Sequence, residues 1–122
     1  KHPGTPLQRL QIVKGWLENG EQRQQVYDVA GDADNGAGVN AECEPFGTGH
    51  ASLCSVWRDP DFSPRQEAFY YARVVENPSC RWTAWQCNAA AKETELAACS
   101  DPDLVRVIQE RAWTSAIWYE VP

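Results

Sequence analysis

Two residues constrain this chain more than any others. Asn19-Gly20 lies between two β-rich runs, residues 10–17 and 26–30. A two-residue hairpin loop of type I′ needs positive φ at both central positions, which Asn and Gly tolerate at least cost. A turn at residues 18–21 then fixes the register of the flanking strands, near 8–18 and 21–30. Val13 opposes Val26, Ile12 opposes Tyr27, Leu10 opposes Val29 and Trp16 opposes Arg23. Apolar meets apolar across the first three pairs, and such pairs stabilise a sheet. Glu18 and Glu21 oppose one another only at the solvated tip. The chain opens as antiparallel β-structure.

Residues 51–58 (ASLCSVWR) read as a third strand, with Leu53 and Trp57 on one face and Cys54 and Val56 on the other. The stretch 59–64 (DPDFSP) reads as a turn, because each proline removes a donor and biases its predecessor away from helix. Residues 66–76 (QEAFYYARVVE) read as a strand that is mostly apolar on both faces, and so central in its sheet. Asn77-Pro78 ends it. Residues 107–121 return to strand, with Trp113, Ile117 and Tyr119 on one side and Ala112, Ala116 and Trp118 opposite. Two polar excursions, 31–50 and 81–103, separate these runs, and residues 88–98 suit a short helix. The expected fold is all-β: an antiparallel sandwich or sheet of about five to seven strands, with two long loops and at most one short helix.

The 122 residues fit one β-domain, 1–122, with enough length to bury a core. A net charge of −6 argues against a nucleic-acid groove or a polybasic membrane patch. No apolar run approaches the roughly 20 residues that span a bilayer. The sequence starts at Lys1 and contains no Met, so it is expected to be part of a longer protein. None of the five cysteines forms a Cys-x-x-Cys, which leaves disulfides in an oxidising compartment as the reading. Two bridges and one odd thiol can be arranged in about 15 ways. Cys43–Cys54 is favoured, closing the end of the first loop; Cys80–Cys87 is the weaker choice. Cys99 is then free or bonded outside these residues.

The residues give no complete catalytic apparatus. Asp28, Asp32, Asp34 and Asn35, with Gly31 and Gly36, resemble a calcium loop, but Asn35 is out of step with alternating oxygen donors. A solvated turn is the expectation. His2 and His50 are far apart, and no nucleophile elbow, phosphate loop or His-Glu-x-x-His occurs. The site residues are therefore expected to be none for catalysis and none for metal. Trp82 and Trp85, within CRWTAWQC, could stack on a sugar ring or a partner protein, or cap an open end of the fold. Arg73, Glu76, Glu110 and Arg111 lie within apolar strands, where an Arg–Glu network is expected.

Several phrases together, PGTPLQRLQIVKGWLENGE, VYDVAGDADNGA, SLCSVWRDPDF, AFYYARVVENPSCRW and IQERAWTSAIWY, resemble the C-terminal end of the bacterial domain-of-unknown-function family 3604. The resemblance covers nearly the whole chain; Ala116 stands where proline is expected. It implies a secreted or periplasmic protein whose N-terminal part is similar to PHP-type metal-dependent phosphoesterases. A divalent metal is implied in that part and none here, because the Gly-Asp-Leu-His-x-His-Thr-like motif is absent. The implied role is an accessory β-domain whose partner is the rest of its own chain. It would meet that partner through residues 109–119 and 3–9. The alternative is a secreted binding or assembly module acting through Trp82, Trp85 or a strand edge.

Overall fold

The computed structural model describes residues 4–90 and 96–122. Along the chain run β1 (Leu7–Glu18), β2 (Glu21–Gly31), β3 (Gly38–Val39), β4 (Pro45–Phe46), β5 (Ala68–Glu76), β6 (Ser79–Cys80), α1 (Trp82–Ala90), a 3-10 turn (Ala97–Ser100), β7 (Val107–Ile108), β8 (Arg111–Trp113) and β9 (Ile117–Tyr119). One antiparallel sheet dominates. Its order is β2-β1-β5, with β8 and β9 both paired to the far side of β5. Two two-stranded ribbons, β3–β4 and β6–β7, complete the β-structure. The fold is all-β as expected, in the form of a sheet rather than a sandwich.

The hairpin turn takes positive φ at Asn19 (53°) and Gly20 (80°). Val13 faces Val26, Ile12 faces Tyr27 and Trp16 faces Arg23. Leu10 departs from expectation and faces Ala30, because a bulge between Leu10 and Gln11 leaves Val29 as the extra residue. Asp28 is held opposite Gln11 by a 2.7 Å hydrogen bond from the Gln11 amide. At the end of β2, Gly31 (φ +83°) lies so close to β1 that a Cβ would collide with the Gln8 carbonyl oxygen. Only glycine suits that position.

The expected third strand does not form. Residues 51–58 are irregular, with Leu53 and Trp57 partly buried and the rest exposed. Trp57 packs against Tyr27 and Tyr70, so this segment docks through side chains and joins no ladder. The expected strand at 107–121 breaks into β7, β8 and β9. At the break, the Thr114 N–H donates to the Ala72 carbonyl and the Thr114 hydroxyl accepts from the Ala72 N–H, both at 3.0 Å. The ladder is satisfied while the side-chain alternation slips by one. Trp113 faces Arg73 and Trp118 faces Phe69, so the two tryptophans share one face, opposite Ile117 and Tyr119. The sequence pattern had placed Trp113 with Ile117 and Tyr119.

The helix begins at Trp82, earlier than expected; of the expected span 88–98, residues 91–95 lie outside those described. Ala84 and Cys87 form its buried side. The bridges are Cys43–Cys80 and Cys87–Cys99, with Cys54 free and exposed. Both expected pairings, Cys43–Cys54 and Cys80–Cys87, are thus corrected, and Cys99 is paired within the chain. Cys87 turns inward with the helix toward the 3-10 turn, while β6 brings Cys80 to the 31–50 loop. Nor does an Arg–Glu network form: among the described residues, no ion pair joins Arg73, Glu76, Glu110 or Arg111. Arg73 donates instead to the Gln11 side-chain oxygen at 2.7 Å.

The 31–50 loop is tied down by amides. Asn35 donates to the Thr48 carbonyl and to Asn77 Oδ1, both at 2.9 Å. Gln109 donates to Gln8 Oε1 at 2.9 Å and to the Glu76 carbonyl at 3.0 Å. Gln8 and Asn77 are buried, and buried amides must be paired.

Alkylation of the unfolded, unreduced chain should label one thiol, Cys54, and reduction should raise the count to five. In the chain-entropy account, a closure of 37 residues is worth about 4 kcal/mol and one of 12 about 3 kcal/mol. Denaturant melts of Cys80→Ser and Cys99→Ser should show losses in that order, while Cys54→Ser stays within about 0.5 kcal/mol of the parent.

Candidate functional site: one closed and one open face of the sheet

Ladder position sorts the side chains of the main sheet into two faces. On the first, Lys14 opposes Gln25 and Tyr70, and Ile12 opposes Tyr27 and Ala72. The 51–65 segment closes this face. Lys14 Nζ donates to Asp59 Oδ2 at 2.6 Å and to the Asp61 carbonyl at 2.9 Å. The Tyr70 hydroxyl donates to Asp59 at 2.8 Å and the Tyr27 hydroxyl to Asp61 at 3.0 Å. Trp57 packs at 4.9 Å from Tyr27, and Phe62 meets the Tyr119 ring edge-on at 4.9 Å. The Lys14 and Asp59 side chains are 3% and 5% exposed. Taking two charges out of water is costly, and here their mutual bond, the Asp61 carbonyl on Lys14, and the Tyr70 hydroxyl and Asp61 N–H on Asp59 offset the loss.

This enclosure sets the ionisation of the cluster. Burial alone would raise the Asp59 carboxyl. Hydrogen bonds from Lys14, Tyr70 and the Asp61 N–H, with the Lys14 charge, outweigh it and hold the group below the usual aspartate range. Burial, the Asp61 hydrogen bond and the two nearby carboxylates push Tyr27 up to about 12. Tyr70 is also raised, by burial first and then by Asp59. A lysine and a carboxylate so enclosed cannot meet a substrate, so the cluster is a clamp.

The second face is open. Its centre runs along β5 as Arg73, Tyr71 and Phe69, flanked by Trp113 and Trp118. Trp118 is 70% exposed and its ring lies 5.2 Å from that of Phe69. Phe69 reaches across to β1, where its ring occupies the space a Cβ on Gly15 would need. Beside it Tyr71 lies nearly parallel, 8° apart in plane and 6.4 Å between centroids. Toward the hairpin tip the face hollows into a groove of about 1140 Å³. At the other end Gln11 links Asp28 to Arg73, and Arg9 approaches Asp28 at 3.6 Å.

A family model described as "Protein of unknown function (DUF3604)" matches residues 1–121. The chain belongs to this family. No curated protein and no solved structure matches it.

In this DUF3604 chain Trp82 and Trp85 stand on a helix, not a loop. They lie one turn apart on the side opposite Ala84 and Cys87, 60% and 55% exposed. Thr83 pins that helix to the Val105 carbonyl at 2.7 Å. The structure does not bring these tryptophans to the groove. Among the described residues no three His, Cys, Asp or Glu stand close enough to hold a metal ion; His2 lies outside them. In the calcium-like stretch, Asp32 accepts from the Asp34 N–H at 2.8 Å, a local turn, and Asn35 serves the amide ties. Two disulfides fit an oxidising compartment. No helix among the described residues is long and apolar enough to cross a membrane.

Sequence reasoning missed both the clamp and the open face. One signal was present: Lys14 occupies a position whose strand neighbours, Ile12 and Trp16, are apolar. A lysine there is either exposed or buried with a partner, and the partner is 45 residues away.

The Asp59 carboxyl titrates lower in the folded chain than in the unfolded one. Its contribution is therefore complete above about pH 4 and is lost as pH falls through the lower folded value. Hydrogen exchange across 57–62 should accelerate in that acid window before the sheet melts. Asp59→Ala strands a buried ammonium and should cost about 3–5 kcal/mol in urea melts. Replacing both partners, Lys14→Met with Asp59→Leu, should cost clearly less.

Proposed function

We propose that this chain is the accessory β-module of a longer secreted or periplasmic metal-dependent hydrolase of the phosphoesterase type. It braces the domain that carries the metal ions and lines one side of its cleft, with no turnover of its own. The observation that carries the reading is surplus surface. The chain exposes 9050 Å² at a mass of 13.7 kDa, where a compact monomer of that mass exposes about 6,600 Å². A surplus on the order of 2,000 Å² is more than one standard-size interface removes from a partner.

The exposed apolar side chains are grouped. Trp82 and Trp85 on α1 are accompanied by Val105 and Val107. On the outer strands of the sheet, Trp113 and Ile117 are exposed on opposite faces, and Val121 is exposed just beyond β9. Exposed apolar groups of the kind found on α1 mark interaction surfaces. In this reading the α1 patch and the β8–β9 edge meet the partner domain, while the groove beside Trp118 stays open as cleft wall. The resemblance supplies the partner's chemistry: a PHP-like domain with divalent metal, which polarises a phosphoester and activates water when present.

A second reading is favoured by the helix itself, which offers two tryptophans from one exposed side. There the chain works as a secreted binding module, and α1 or a strand edge takes the ligand.

The deciding measurement is the intact mass of the natural protein from its host, followed by phosphodiesterase assays with and without chelator. A mass well above that of these 122 residues and chelator-sensitive hydrolysis are expected, with none from the 122-residue chain. A natural product consisting of these residues alone would sink the accessory reading and leave the second.

A further inference from the structure

The groove beside Trp118 has a lining that the clamp, the bridges and the docking patches do not explain. Its floor is Val13, Gly15 and the rings of Phe69 and Tyr71, and Trp118 rises on one side. Its rim carries Gln22, Gln24, Gln66 and Glu67. Among the described residues, these four side chains hydrogen-bond to no other group. Gln25, on the closed face, instead donates to the Val26 carbonyl. Aromatic rings below, with three amides and a carboxylate unpaired above, make an unusual pairing. The first want apolar contact, and the second want hydroxyls or water.

We propose that this groove binds a run of neutral sugar rings. A pyranose offers an apolar C–H face to an aromatic ring and a fringe of hydroxyls to side-chain amides and carboxylates. Glycine at position 15 makes the floor possible, because any Cβ would drive the Phe69 ring off β1 and into the groove. The charges favour an uncharged ligand. Glu18, Glu67 and Glu120 line the groove with Arg23 and Arg65, and Arg23 is already paired with Glu18 and Glu21. Arg65 is then the one unpaired cation on the groove among the described residues, set against Glu67 and Glu120. In a chain of net charge −6, a single guanidinium does not hold an anionic polymer. A volume of about 1140 Å³, open to solvent, exceeds a single small ligand and suits a chain of rings. This inference rests on the reading of the open face as cleft wall and names the ligand class that wall would meet.

The test is affinity electrophoresis of the 122-residue chain in native gels containing xyloglucan, galactomannan, mixed-linkage β-glucan or polygalacturonate. Tryptophan emission is followed in parallel during titration with the matching oligosaccharides. At least one neutral polymer should retard the chain, and polygalacturonate should not. Trp118→Ala should weaken that binding about tenfold or more, corresponding to the loss of one stacked ring. Gln24→Ala should weaken it less, and Trp85→Ala should leave it unchanged. Far-UV circular dichroism checks the fold of each variant, and Gln24→Ala, a surface change, keeps the test open if Trp118→Ala misfolds. Retardation by none of the neutral polymers overturns the inference. So does retardation by polygalacturonate to the same extent, or equal loss with Trp85→Ala. If the natural protein is nevertheless longer and chelator-sensitive, the accessory reading survives and only the sugar-binding inference falls.

Discussion

The ion pair between Lys14 and Asp59 organises the molecule. It is buried on the face of a central strand and holds a segment that makes no sheet hydrogen bonds of its own along 51–58. Through it, Trp57 is brought against Tyr27 and Tyr70. Without that segment the face bearing Lys14, Tyr70 and Tyr27 would be uncovered, while the opposite face, where Val13 and Val75 are buried, would still lie bare around Trp113 and Trp118. Among the described residues the fully buried apolar core is small: Val13, Ala68, Val75 and Ala84, with Cys43 and Cys87. A charged contact stands where a larger domain would place leucines and isoleucines. Such a pair fixes one geometry, because a lysine out of reach of its carboxylate would be a bare charge in a dry site.

The rest of the chain is secured by bridges and amides rather than by burial. Cys43–Cys80 joins the first loop to the end of the sheet, and Cys87–Cys99 joins the helix to the stretch after it. Gln8, Asn35, Asn77 and Gln109 tie four chain segments at one end. Small domains short of apolar core commonly depend on crosslinks. Here that economy leaves one face of the sheet free, and the proposed roles in lining a cleft and meeting sugar rings depend on that freedom.

The open face is made by a slip at Thr114. A continuous strand from 107 to 121 would place Trp113 and Trp118 on opposite faces, since five positions separate them and alternation has period two. The Thr114 hydroxyl and N–H satisfy Ala72 while the chain advances by one residue, and both indoles emerge on one side. Sequence alternation cannot show such an irregularity, because threonine is an ordinary strand residue. The bulge at Val29 escaped for the same reason.

Local chemistry was sufficient to determine the hairpin, its turn type, most of its register, the central place of β5 and its end at Asn77-Pro78. Each depends on residues within a few positions of one another: positive φ at Asn19 and Gly20, apolar alternation, a proline without a donor. The family was legible too, because long phrases of sequence are specific. Tertiary structure alone decided which cysteines meet, that residues 51–58 cover a face instead of joining the sheet, and where Lys14 finds its counter-charge. Those outcomes depend on groups 12 to 45 residues apart. Distance along a chain says little about which of several chemically equivalent partners a folded backbone will bring within reach.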